Sequence, residues 1–359
     1  MDTGIERVEP IPGSPALIRK GQLLTDASGL AATARWAEAV TETGGVYRVR
    51  LSRGVDVCDL VASVRARGVR ASPNHIVTGQ PLYFGGPASR PFPHAALPAP
   101  GPAPDGPGAG SVTVALPDTG LTEHPWWERS PWFLRRGREG DEVTDGDGDG
   151  LPDPQAGHGT FIAGLILRSA PGARLRPIRM LDGHGVGDEA GLLHVLGRLR
   201  ADPPGVLNLS FGTHTFDDGP SPLVEAALED LAGGPAGTVT VACAGNTASD
   251  RPFWPAASPG VIAVAALDAT GQARAPFSGH GPWVDACAPG EWLSSAFLDH
   301  PPFDGYARWS GTSFATALVS GAIAAATVER SPRQAAAYLL EGAECRRIPD
   351  SGVVVPMPG

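Results

Sequence analysis

Lysine is all but missing from this chain: of 28 basic residues in a length of 359, only Lys20 is not arginine. So complete a bias reads as codon usage more than as function. Basic clusters of the kind that neutralise a phosphate backbone are missing too. Residues 1–110 carry 11 basic against 9 acidic side chains, and the remainder carries 17 against 29, which argues against nucleic acid as a partner. Cysteine is scarce: Cys58, Cys243, Cys287 and Cys345 sit in or beside apolar segments, without metal-ligand spacing. Free buried thiols are therefore expected rather than disulfides. The opening residues Met1 to Glu6 contain no basic stretch followed by an apolar core. No secretory signal is read there, and a cytoplasmic protein is expected, with an export sequence hidden by a misassigned start as the alternative. The longest apolar stretch, Phe314 to Thr327, contains Ser320 and Gly321 and is too short to span a bilayer, so it is expected to be a core helix, with no membrane partner.

What is present suits a soluble globular protein, expected to be a monomer, with one large domain and a smaller one: 42% of residues are hydrophobic and 18% charged. Residues 1–84 read as an α+β unit. Val46 to Leu51 alternates like a half-exposed strand, Val55 to Arg67 places Val57, Leu60, Val61 and Val64 on one helical face, and Val69 to Val77 looks extended. Another helix is expected near Ala31 to Val40. Residues 85–110 turn abruptly to Pro, Gly and Ala and read as a linker. From residue 111 to 359, continuous apolar strands alternate with helical runs, which predicts an α/β fold with a mostly parallel sheet between helices.

Four short segments carry the chemistry. Asp118 ends the strand Val112 to Leu116, at the sheet edge where open α/β sheets gather ligands. Its Asp-Thr-Gly also occurs in aspartic proteases, but the second copy, Asp2-Thr3-Gly4, has no apolar context. His158 opens a helical run between Gly157 and Gly159, which allow close backbone approach. The other eight histidines are expected in surface or loop positions. Ser313 begins an apolar helix after Gly311-Thr312, where it would be a plain N-cap in isolation. Asn246 follows the strand Val239 to Cys243 and offers an amide donor toward an oxyanion, the second donor being the Ser313 amide at the start of its helix. Carboxylate, imidazole and hydroxyl in one row would form a nucleophilic triad.

In order and spacing these segments resemble the subtilisin-like serine proteases, over about residues 111–342. The resemblance implies a three-layer α/β fold and a serine endopeptidase acting through an acyl-enzyme, with Asp118, His158, Ser313 and Asn246 as its machinery. It implies a peptide or protein substrate held between Ser210-Phe211-Gly212, with Gly245 beyond, and the opposing edge Gly185-Val186-Gly187. Phe314, Thr316-Ala317 and Phe161 depart from common family residues without removing a catalytic group. The alternatives are a peptide-processing acyl transferase or macrocyclase with the same triad, and a silent peptide-binding scaffold. The N-terminal unit resembles the family's propeptide domains, which implies an intramolecular inhibitor; an unrelated accessory domain is the alternative. Asp145, Asp147, Asp149 and Asp153 alternate with glycines in a pattern that suits a hard cation such as Ca²⁺, against a solvated acidic loop. No organic cofactor is expected.

Overall fold

The computed structural model describes residues 4–79, 90–101, 112–342 and 345–357. The N-terminal unit runs β1 (Ile5–Val8), β2 (Ala16–Thr25), α1 (Leu30–Thr33), β3 (Ala37–Thr43), β4 (Val46–Leu51), α2 (Val57–Arg65) and β5 (Ala71–Thr78). The chain continues with β6 (Phe92–Pro93), β7 (Thr113–Asp118), α3 (Pro131–Leu134), α4 (His158–Ser169), β8 (Arg174–Arg179), β9 (Val186–Asp188) and α5 (Glu189–Leu199). Next come β10 (Val206–Leu209), α6 (Pro222–Gly233), β11 (Val239–Cys243), β12 (Val261–Leu267), β13 (Ala286–Pro289), β14 (Leu293–His300) and β15 (Phe303–Trp309). α7 (Thr312–Ala326), α8 (Pro332–Leu340), β16 (Arg347–Ile348) and β17 (Gly352–Val354) complete it.

The main sheet has the order β16-β17-β13-β12-β11-β10-β7-β8 and is parallel throughout except at β16. Side-chain alternation builds the layers. Val114, Leu116, Val206, Val241 and Val264 face a core shared with α4, α7 and α8. Ala115, Leu207, Leu209, Ala242 and Ala263 face the opposite core, filled by Leu192, Leu196 and Leu199 of α5 with Leu223 and Leu231 of α6. A sheet buried on both faces needs apolar residues at consecutive positions, which is why its strands read as unbroken runs. Among the described residues no helix is long and apolar enough to cross a membrane, and the four cysteines are unpaired.

Two expectations need correction. The helix near residues 31–40 exists only as Leu30–Thr33 with a short 3-10 turn; from Ala37 the chain is β3. Gly44 and Gly45, at φ +63° and +83°, form the left-handed two-residue turn that brings β3 back along β4, so the hairpin overrides helix propensity. The proline-rich stretch is not all tether either, since β6 pairs antiparallel with β15. Pro93 is tolerated there because it lies on the edge strand of a three-stranded sheet. The other parts of the expected linker, residues 85–89 and 102–110, lie outside the described residues.

Candidate active site

β7 delivers Asp118 at its carboxyl end, fully buried, and α4 begins one helical step away with His158. Two glycines permit this approach. Gly157 holds φ +88°, and a side chain there would strike the Phe297 ring at 2.5 Å. A Cβ on Gly159 would lie 2.3 Å from the Gly120 carbonyl, so only glycine lets α4 start against the end of β7. His158 Nδ1 and Asp118 Oδ1 are 2.7 Å apart, and Thr119 N–H donates to the same oxygen at 2.8 Å. With Nδ1–H given to the carboxylate, Nε2 is the basic nitrogen. Nε2 is buried and makes no hydrogen bond with the described residues. Trp309 stands edge-on to the imidazole at 5.6 Å and Phe314 lies at 5.5 Å, so aromatic rings wall the base.

Ser313 sits in the first turn of α7 and is buried. Its hydroxyl departs from the expected row: it donates to the Ser210 carbonyl at 3.0 Å rather than to His158. The carboxylate–imidazole link is therefore made and the imidazole–hydroxyl link is not. A buried ladder holds the serine backbone meanwhile: Ser320 Oγ donates to Asn208 Oδ1 at 2.9 Å, Asn208 Nδ2 to Ser210 Oγ at 2.8 Å, and Ser210 Oγ to the Ser313 carbonyl at 3.0 Å. Asn246 Oδ1 accepts from both Thr312 N–H and Thr312 Oγ, each at 2.9 Å. Two donors on one oxygen fix the amide orientation and turn Nδ2 away from Thr312, as an oxyanion donor requires.

The expected substrate edges flank a strand already in place. β5 pairs antiparallel with β9, with Val77 opposite Gly187 and Thr78 opposite Val186. On its other side Thr78 N–H donates to the Gly212 carbonyl at 2.9 Å, and the Thr78 carbonyl accepts from the Gly212 N–H at 3.1 Å. Gly79 N–H donates to the Gly185 carbonyl at 2.8 Å, and a Cβ on Gly79 would lie 3.7 Å from His158 Cε1. Gly185, Val186, Gly187, Ser210 and Gly212 thus line the cleft through their backbones. The Phe211 side chain is fully buried in the α5–α6 core. Gly245 and Gly212 share a neighbour the sequence did not single out: Cβ atoms there would meet the Phe253 ring at 3.2 and 2.4 Å.

Two of the remaining histidines are buried: His124 lies in a loop, as expected, whereas His75 lies on a strand, against expectation. His124 Nε2 donates to the Gly305 carbonyl at 3.0 Å, and burial lowers its pKa. His75 on β5 meets Glu189 of α5 at 2.8 Å; Glu189 also accepts from Ser72 at 3.0 Å and from Ser221. This partner lies 114 residues away, beyond the reach of local pattern. Arg19 to Asp188 at 2.9 Å and Arg65 to Asp217 at 2.7 Å add ion pairs between the N-terminal unit and the main domain. The four aspartates expected to hold a cation fall into two groups: Asp145, Asp147 and Asp149 together, and Asp153 with Asp147 and His184.

The Subtilase family model matches residues 109–348. "Thermitase" of Thermoactinomyces vulgaris is 33% identical over 185 residues, 49% of this chain and 62% of that protein. A "thermostable alkaline protease" of Halalkalibacterium halodurans is 36% identical over 232 residues, 61% of this chain and 57% of its own length. "Subtilisin Savinase" of Lederbergia lenta is 32% identical over 225 residues, 59% of this chain and 75% of its own. The chain thus spans less than two thirds of the first two. In fold it is similar to a cold adapted subtilisin-like serine proteinase, with a TM-score of 0.52 at 24% identity, covering 69% of this chain and 89% of that one. With a family model spanning most of the molecule and a parallel three-layer sheet that brings Asp118 and His158 together, the chain belongs to the subtilase family.

Proposed function

We propose that this protein is a serine endopeptidase whose cleft is closed by its own N-terminal unit. The observation that carries the reading is the buried 2.7 Å bond between Asp118 and His158, which fixes the imidazole with Nε2 as its base. In the reaction, the Ser313 hydroxyl turns from the Ser210 carbonyl, gives its proton to His158 Nε2 and attacks the scissile carbonyl carbon. Asp118 stabilises the imidazolium that forms, and the oxyanion is met by Asn246 Nδ2 and the Ser313 N–H, which the partial positive charge at the start of α7 reinforces. His158 then protonates the leaving amine, and water repeats the sequence in reverse on the acyl-enzyme. Ser313→Ala should abolish both hydrolysis and labelling by a serine-directed phosphonate; retained turnover would refute the assignment. The mass of the product separates hydrolysis, which adds water, from cyclisation.

Substrate recognition follows from the docked strand. An extended peptide placed like β5 gains main-chain bonds from Gly185, Gly187 and Gly212, a β-strand addition that is largely independent of side chains. Phe253 packs against both Gly212 and Gly245 and is itself buried, so its ring fills the space between those two backbone segments. We read this as a preference for small side chains before the scissile bond. Cleavage of a peptide library reports it directly, and Phe253→Ala should extend acceptance to aromatic residues.

For the N-terminal unit, residues 1–84, inhibition is supported by β5 occupying the strand position that substrate needs. The acidic loop is proposed to hold Ca²⁺. Its oxygen donors are hard and lie within 4.8 Å of one another, which fits that ion. Asp145, Asp147 and Asp149 would hold it, bracing the loop that leads to His158.

A further inference from the structure

Beside the catalytic pair lies a carboxyl group that the proposed reaction does not use. Glu142 follows Asp141, which bridges to Leu121, and its own N–H donates to the Leu121 carbonyl at 3.1 Å. Both of its side-chain oxygens are shut off from water, and neither makes a hydrogen bond with the described residues. They sit by the Thr119 side chain and the Gly157 N–H, with Asp118 of β7 as the neighbouring negative charge and the exposed Arg179 of β8 as the neighbouring cation. Asp118 Oδ2 is likewise buried without a partner among the described residues, and His158 of α4 lies on the other oxygen of that carboxylate.

Thr119 directly follows Asp118, and Gly157 directly precedes His158. One side chain against both ties together the two segments whose registry sets the 2.7 Å bond. Thr119 Oγ also accepts the Gly159 N–H at 3.1 Å, which extends the tie across the first turn of α4. An ionised Glu142 in this place would be a second desolvated anion near Asp118, whereas the neutral acid can accept one bond and donate another.

We propose that Glu142 is a positioning residue kept as the neutral acid: it braces Asp118 against His158 through Thr119 and Gly157, and its ionisation would set a second anion beside Asp118. This rests on the serine-peptidase reading of the same site. Burial is the largest influence on Glu142 and pushes its pKa from the ordinary 4.5 up to about 8, with Asp118 adding to the rise and Thr119, Gly157 and Arg179 opposing it. Because the folded acid holds its proton more tightly than the unfolded one, its contribution to stability is full below pH 4.5 and declines until about pH 8.

The test uses the full chain carrying Ser313→Ala, with ¹⁵N-labelled histidine, titrated by NMR across the alkaline range. The His158 ring nitrogens should show an inflection near pH 8 in this parent and lose it when Glu142→Gln is added. Thermal stability of the parent should fall between pH 5 and 8, and that of the Glu142→Gln chain should fall less. With Ser313 intact, Glu142→Ala should lower kcat about tenfold with little change in KM, and Glu142→Gln, which keeps shape and neutrality, should restore most of that loss. A parent titration without the inflection, or one that persists in Glu142→Gln, overturns the proposal. If the inflection behaves as expected and the chain with Ser313 cleaves no peptide once its N-terminal unit has been released from the cleft, the brace stands and the peptidase reading fails.

Discussion

Replacing His75 by alanine should release β5 from the cleft without disturbing the catalytic domain. His75 Nδ1 donates to Glu189, while Nε2 takes the Phe216 N–H at 3.4 Å, so the ring acts as donor at one nitrogen and acceptor at the other. It also stacks on Phe216 at 6.1 Å with an interplanar angle of 21°. A hydrogen bond to a buried carboxylate contributes about 1.5–3 kcal/mol. The ring contact adds roughly 1 kcal/mol. Taking about 3 kcal/mol for the sum, opening of the β5–β9 pairing becomes roughly 150-fold more frequent, since 1.4 kcal/mol is about a factor of ten. Hydrogen exchange measures this in a Ser313→Ala background that cannot cut itself. The amides of Thr78, Gly79 and Gly212, which close the cleft, should exchange faster by that factor, while those of β11 and the middle of α7 should not change. Unaltered protection at Thr78 and Gly212 would refute the claim that the buried pair holds the strand; uniform acceleration would mean that the whole fold had been destabilised instead.

Asn246→Ala should lower kcat about 10²- to 10³-fold with a smaller effect on KM. Asn246→Asp keeps the acceptor for Thr312 and removes the donor, so steady-state kinetics that spare it would move the oxyanion role elsewhere. Gly157→Ala forces a side chain into the left-handed region and against Phe297, a loss of about 3 kcal/mol, read as a fall in melting temperature together with a displaced His158. Should Tm stay put, the steric account of that helix start is wrong. Calcium at a hundred times its dissociation constant should stabilise the chain by about 2.7 kcal/mol, and Asp147→Ala should erase the response to calcium and chelator in calorimetry. No calcium-dependent shift in the parent chain would leave the loop a solvated turn.

The sequence by itself determined the α/β architecture and brought forward the groups proposed to react. A strand buried on two faces must be apolar at successive positions, so β7, β10, β11 and β12 announce themselves. Glycines flanking His158 are demanded by close contacts with the Phe297 ring and the Gly120 carbonyl, and that demand marks the helix start in the primary structure. Local pattern misled at residues 37–43, where pairing with β4 outweighs helix propensity. What only the tertiary structure decided are the interactions between groups far apart in the chain. Among these are the Ser313 hydroxyl resting on Ser210, the entry of β5 between β9 and Gly212, and the meeting of His75 with Glu189. Glu142 belongs with them: a carboxylate in an acidic stretch reads as solvated until folding places it by Thr119 and Gly157, away from water. Periodicity reports which side of an element is buried, whereas desolvation and hydrogen-bond partners depend on what the rest of the chain brings to that side.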